Sequence, residues 1–300
     1  MRVLLANHSS YPGTPTAGDL ARVLDEQVAA GLDLVTDGQL GWEDAIAPLM
    51  TRIDGVRCGA PVVLPGLPHA VRQPIVQAKL RRHQSLCLDA YREAAALTRA
   101  PLKAVLTGPY TLAHCSALAT TAYRGADDLA EDLSAILAQE IAALVGAGAA
   151  AIQVDEPIIL ARPADVRRLR QLLEPLHDAA GGRATVIIAT YGADAGGLYA
   201  QLNSLPGDVI AVDCAGRQAT CDAIAATGAG KPLALGIVDG TGAVREDVGA
   251  LHRLLEQLLQ RYSHPTVHLQ PACGLGRLPP QTARDKIGLL AVARDALDTA

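Results

Sequence analysis

The chain has 300 residues, half of them hydrophobic and 19% charged, with a formal net charge of −5. That length fits one large α/β domain or two small ones, can bury a full core without disulfides or a structural metal, and with this apolar content excludes a disordered chain. The mild acidity and the lack of any long Lys/Arg block exclude a nucleic-acid footprint, and no run approaches the roughly 18 apolar residues of a membrane span. The opening MRVLLANHSSYPG holds too short an apolar run for a secretory signal, so a cytoplasmic chain is expected. Six cysteines (Cys58, Cys87, Cys115, Cys214, Cys221 and Cys273) lack CxxC spacing, which fits a reducing compartment. There is no Phe and a single Trp, so Leu, Val, Ile and Ala must fill the core.

In chain order, short apolar or β-branched runs alternate with helical patterns. Strands are predicted at 3–6, 33–36, 103–106, 151–154, 185–189, 208–212, 232–238 and 266–269. Helices are predicted at 17–30, 43–52, 77–97, 126–145, 164–179, 196–203, 218–226, 246–262 and 280–297. Eight strand–helix units in one chain predict a (β/α)8 TIM barrel, a single domain over residues 1–300. The first turn is Asn7-His8-Ser9-Ser10 rather than a Gly-rich dinucleotide loop. The stretch 58–74 carries Pro61, Pro65, Pro68 and Pro74 and reads as an insertion, a hairpin or lid over one barrel mouth.

Active sites of such barrels lie at the C-terminal strand ends. The predicted ends carry His8 and Ser10; Asp37 and Gln39; Thr107; Asp155 and Glu156; Tyr191; Asp213 and Cys214; Asp239; and Gln270 with Cys273. A single Asp after a strand is often only a helix cap. Five acids on one rim repel each other and call for a cation, either a substrate ammonium or a metal. In Asp155-Glu156-Pro157 the proline ends the strand and leaves at least one carboxylate at the pocket. His8 is the histidine best placed for a site, and Cys273, between Ala272 and Gly274, can approach a metal or a substrate. Trp42 is a candidate stacking surface.

Several segments, in order along the chain, resemble the cobalamin-independent methionine synthase family. They are SSYP (9–12), GLDLVTDGQLGWED (31–44), VRQPIV (71–76), LTGPYTLA (106–113), IQVDEP (152–157), TYGAD (190–194), LNSLPGDVIAVD (202–213), LGIVDG (235–240) and PACGL (271–275) with LP (278–279). The resemblance covers nearly the whole chain and is to one barrel, similar to stand-alone single-barrel forms; TYGAD and LPGDVIAVD look more like the family's amino-terminal, zinc-free barrel. It implies a methyltransferase moving a methyl group to a small thiol such as homocysteine, with methyl-folate or a methyl-corrinoid as donor. It also implies an amino-acid clamp at Ser10, Gln39 and Asp155, and a zinc ion that deprotonates the substrate thiol. Of the family's zinc ligands, Cys273 is retained and Asp213 stands at the acid position. Thr190 and Gly192 replace the His-x-Cys pair, and Thr241 replaces the proton-donating His. One thiolate and one carboxylate fall short of the three or four ligands of a zinc site.

The full expectation therefore has Asp155, Glu156 and Asp239 as catalytic groups, and Cys273 and Asp213 as what remains for a metal. His8, Ser10, Gln39, Thr107, Asp155 and Tyr191 bind an amino-acid-like substrate. Two alternatives stay open. One is a metal-free enzyme of different chemistry on the same barrel, using Asp155, Asp239 and Tyr191 as acid–base groups. The other is a non-catalytic partner of a separate zinc-bearing barrel or a corrinoid protein.

Overall fold

The structure, a computed structural model, describes residues 1–298. It opens with strand β1 (Arg2–Leu5), helix α1 (Ala17–Ala29) and the single turn α2 (Ala47–Met50), followed by strands β2 (Asp54–Val62) and β3 (Val71–Arg81). Helix α3 (Leu88–Leu97), β4 (Lys103–Thr107), α4 (Pro109–Cys115), β5 (Ala117–Leu118) and α5 (Ala126–Gly146) come next. The alternation is then regular: β6 (Ala151–Asp155), α6 (Val166–Ala180), β7 (Thr185–Thr190), α7 (Tyr199–Leu202), β8 (Val209–Asp213) and α8 (Gln218–Thr227). Strand β9 (Leu233–Val238), α9 (Val248–Leu259), β10 (Thr266–Pro271) and α10 (Pro280–Asp298) complete it.

Seven strands form one curled parallel sheet in the order β1-β10-β9-β8-β7-β6-β4. Strands β4 and β6 to β9 read as continuous apolar runs, and they are buried on both faces as parallel strands are. Alternation sorts their side chains. Val186, Ile188, Ile210 and Val212 face the helical layer, while Ala6, Leu34, Ala151, Ile187, Ala189, Val209, Ala211 and Ala234 pack together on the concave side. The helices answer with apolar stripes at helical spacing, such as Leu169, Leu172, Leu173 and Leu176 on α6.

The segment 33–36 departs from the expected strand. It lies between β1 and β4 but makes only isolated parallel bridges, Ala6 with Leu34 and Val35 with Leu102. Side chains take over ladder positions there. The Leu5 amide donates to Asp33 Oδ2 at 2.8 Å, and Thr36 gives both its N–H and its carbonyl to the Gln27 side-chain amide, each at 2.9 Å. A continuous eight-stranded ladder is thereby interrupted at this one position.

Two helix predictions also need correction. Of 43–52, only Ala47–Met50 is helical, because Asp44 turns its carboxylate onto the amides of Ile46 and Ala47 and caps a later start. Of 77–97, the first part is the second half of β3, and only Leu88–Leu97 is helix. The insertion is an antiparallel hairpin of β2 and β3, with β5 added in parallel to β3. Pro61 and Pro74 are accommodated where the register shifts between Cys58 and Pro61, and Pro65 and Pro68 lie in the loop between the two strands.

A buried carboxylate locks the hairpin's exit to the barrel. Glu140 Oε1 accepts the amides of Leu86, Cys87 and Leu88 at 2.8–2.9 Å, and its Oε2 accepts from Arg82 at 2.6 Å. Glu140→Ala would strand three amides and a guanidinium. The expected cost is about 3–5 kcal/mol, read as a lowered denaturant midpoint; a loss below about 1 kcal/mol would refute the lock.

Candidate active site

Every strand of a parallel sheet delivers its C-terminal end to the same rim. There, Ser10, Gln39, Asp155, Tyr191 and Cys273 line one cleft of about 890 Å³, open mouth included. Leu67 to Val71, from the tip of the β2–β3 hairpin, and Trp42 form its outer wall, with Arg277 at the edge. The tip of the Pro-rich insertion thus lines the cleft at the C-terminal rim of the sheet.

The floor is built by register. Thr107 pairs with Asp155, and Asp155 pairs with Ala189, so Asp155 stands at the last rung of β6. Its Oδ1 accepts from Gln153 Nε2 at 2.7 Å, and Gln153 Oε1 accepts from Lys103 Nζ at 2.5 Å. Burial pushes the Asp155 carboxyl up and the Lys103 ammonium down, each opposed by the charge of the other. Tyr191 sits beside Asp155, and burial keeps its phenol neutral. Beneath it, the buried His8 ring meets Tyr191 edge-on at 5.0 Å and contacts Ser9 Oγ through Nδ1 at 2.9 Å. Burial, reinforced by the Lys103 charge, holds His8 well below the usual imidazole range, so it is neutral.

The loop after β10 closes the floor. Leu275 and Gly276 donate their amides to the Ser10 carbonyl and hydroxyl at 2.9 and 3.2 Å. A Cβ on Gly274 would fall 2.2 Å from Ser10 Oγ, so only glycine allows this approach. Burial pushes the Cys273 thiol up to about 12, with Asp213 and Asp239 adding to it. Gln39 adopts a left-handed φ of 48°, its amide donating to Asp37 Oδ1 at 3.0 Å, which turns the 38–42 loop along the cleft.

Five expected site residues do other work: His8, expected to bind substrate, packs against Tyr191 outside the cleft lining, and the other four are engaged elsewhere. Glu156 faces away from the cleft and receives the amides of Tyr110 and Thr111 at 3.0 and 2.7 Å, which caps α4. Asp239 closes its own turn, accepting from Thr241 and Gly242. Thr107 donates to the Ala45 carbonyl at 2.5 Å and anchors the loop that carries Trp42. Asp213 pairs with Arg217 at 3.1 Å and accepts the Ala215 amide; burial pushes its carboxyl up to about 6. That engagement leaves Cys273 without an assembled ligand set. Among the described residues no three His, Cys, Asp or Glu side chains gather as a metal-binding group, so the residues present do not fit a zinc site.

Lys103 and Gln153 escaped the sequence reading. Gln153 sits inside a strand and Lys103 at the N-terminal end of one, away from the C-terminal rim, and a lysine that opens a strand looks like a solvated one. The usable signal is period two: Gln153 and Asp155 must share a face.

A curled parallel sheet with an acid-floored cleft at its C-terminal rim is the layout of a barrel-type α/β enzyme for a small polar substrate. The solved B12-independent methionine synthase from Shewanella, in complex with selenomethionine, shares this fold with a TM-score of 0.85 at 18% identity, over 100% of this chain and 98% of that one. The profile of the cobalamin-independent synthase catalytic domain matches residues 7–295. The methionine synthase of Sulfolobus acidocaldarius is 27% identical over 267 residues, 88% of this chain and 77% of that protein. That of Methanothermobacter marburgensis is 24% identical over 305 residues, 93% and 94% of the two chains. The chain belongs to the cobalamin-independent synthase family, matching its catalytic domain, and is a methionine-synthase-like methyltransferase.

Glu156 makes a pH prediction. Burial raises its carboxyl from 4.5 to about 7, so the folded state holds a proton that the unfolded state has lost across that window. Its contribution to stability is therefore greatest at the acid end and falls as pH rises from about 4.5 to 7. Denaturant midpoints measured across this range should fall less steeply in Glu156→Gln than in the wild type. Equal slopes would show that Glu156 does not titrate there.

Proposed function

We propose that this chain, acting as one barrel domain over residues 1–300 with 33–36 as its eighth stave, transfers a methyl group to the thiol of homocysteine. The observation that carries this reading is Asp155, a buried carboxylate at the cleft floor beside Tyr191 and flanked by Ser10 and Gln39. Asp155 accepts the substrate ammonium, while Ser10 and Gln39 orient the rest of the amino acid. The selenomethionine bound to the Shewanella protein supports a product of this shape. Trp42 and the hairpin tip wall the cleft from water, and the reacting sulfur lies within it. There a sulfur–carbon bond forms as the donor's bond to the methyl group breaks, the donor keeping that electron pair, and the thiol proton passes to the departing donor or to water.

Either methyl-folate or a methyl-corrinoid on a carrier protein serves as donor. Zinc activation is not assigned to these side chains, since Cys273 and Asp213 alone do not hold the ion. Glu156, Thr107 and Asp239 support the site by fixing α4, the 43–46 loop and the turn after β9. His8 supports it as a neutral shelf under Tyr191.

The test is calorimetric titration with methionine, followed by methyl transfer to homocysteine from each donor, with and without added zinc. Asp155→Asn should weaken methionine binding by about 10- to 100-fold, the worth of a hydrogen bond to a charged group, with the fold intact by circular dichroism. No methionine binding by the wild type, together with no transfer from either donor, would defeat the proposal.

A further inference from the structure

The concave face of the sheet is lined mainly by small aliphatic side chains, yet it holds a fully buried lysine. Lys103 opens β4 four rungs below the rim, opposite Ala151, while its neighbours on the same face of β6 are Gln153 and Asp155. Its ammonium reaches up to Gln153 Oε1, and Gln153 Nε2 continues to Asp155 Oδ1. The other ionisable groups that feel Lys103 are His8 and His268. Burial holds both low, His268 down to about 4, so both are neutral and neither adds a second positive charge beside Lys103.

An ammonium group can only donate, whereas a carboxamide donates at one end and accepts at the other. A lysine at the foot of this chain therefore fixes the orientation of the Gln153 amide: its carbonyl must face Lys103 and its NH2 must face Asp155. Asp155 Oδ1 must then accept, so the carboxyl group is held by this chain with a hydrogen-bond acceptor at the cleft. An apolar side chain at 103 would fill the same space without the cost of desolvating a charge, so a packing role alone does not account for a lysine.

We propose that Lys103 is a positioning residue. Acting through Gln153, it holds Asp155 as a hydrogen-bond acceptor and so makes the cleft select ligands that carry a primary ammonium. The inference rests on the amino-acid site proposed above and names what sets its selectivity.

The experiment compares methionine with 4-(methylthio)butanoate, which lacks only the amino group, by calorimetric titration of the wild type and of Lys103→Met. The wild type should prefer methionine by at least about tenfold. In Lys103→Met that preference should fall below about threefold, with the affinity for the des-amino acid kept. An unchanged preference in Lys103→Met overturns the inference while leaving the amino-acid site standing. Equal weakening of both ligands overturns it too, because that is what a merely structural lysine would give. A wild type that binds neither ligand, or shows no preference, removes the amino-acid site itself and the inference with it. Should Lys103→Met fail to fold, Gln153→Met cuts the same chain at its middle, and the same two titrations decide.

Discussion

All strands of the main sheet run in one direction, and most of the molecule follows from that constraint. Parallel register fixes which residues reach the rim together, and side-chain alternation fixes which of them look inward. Thr107, Asp155 and Ala189 stand on one rung, so a carboxylate at the end of β6 is flanked by a small residue and a hydroxyl rather than by bulk. The concave face below is filled mainly by Ala, with Leu34, Ile187 and Val209 the larger members of the cluster. A face crowded with Phe or Leu would have no room for the lysine and glutamine that extend from below towards Asp155. The lack of Phe across the chain is compatible with this layout, although nothing in the structure requires it elsewhere.

The acids of the rim share one physical problem and solve it in three ways. Burial pushes the carboxyls of Asp155, Glu156 and Asp213 upward. Asp155 is met by a neutral amide backed by a distant cation, Asp213 by a direct guanidinium, and Glu156 by the amides at the start of α4. The Glu156 arrangement requires Gly108, where a Cβ would lie 2.2 Å from Oε1. Of these three, Asp155 alone lines the cleft, and its side-chain hydrogen bond comes from a neutral amide rather than a cation. It is consequently the acid with the most to gain from an ammonium-bearing ligand.

The sheet was legible because fully buried parallel strands read as unbroken apolar runs. Seven of the eight predicted runs are strands of the ladder, with bounds within a residue or two. The eighth, 33–36, has the right composition, but Asp33 and Gln27 supply side-chain hydrogen bonds where a ladder would run, and periodicity is blind to that substitution. The 77–97 error has another cause. Residues 77–81 are the exposed half of a hairpin strand, and no Gly or Pro separates them from α3, so strand and helix merged into one pattern. At the rim, reading strand ends gathered five residues that line one cleft. It could not tell an acid facing that cleft from one facing a helix. Glu156 and Asp239 were grouped with Asp155 because all three follow a strand, and only their partners separate them.

The segment IQVDEP acquires a physical reading from this geometry. Gln153 and Asp155 are two apart, so both face the concave side and can touch, and there the lysine of the neighbouring strand meets them. Glu156 follows Asp155 and falls on the opposite side, where the first turn of α4 offers two unpaired amides. Pro157 cannot donate to a ladder, so the strand ends there and the two acids stay at the rim. One short run thus builds a binding anion on one face and a helix cap on the other. Gln153 belongs to the site as much as Asp155 does, because the amide decides which way the carboxylate's hydrogen bonds run.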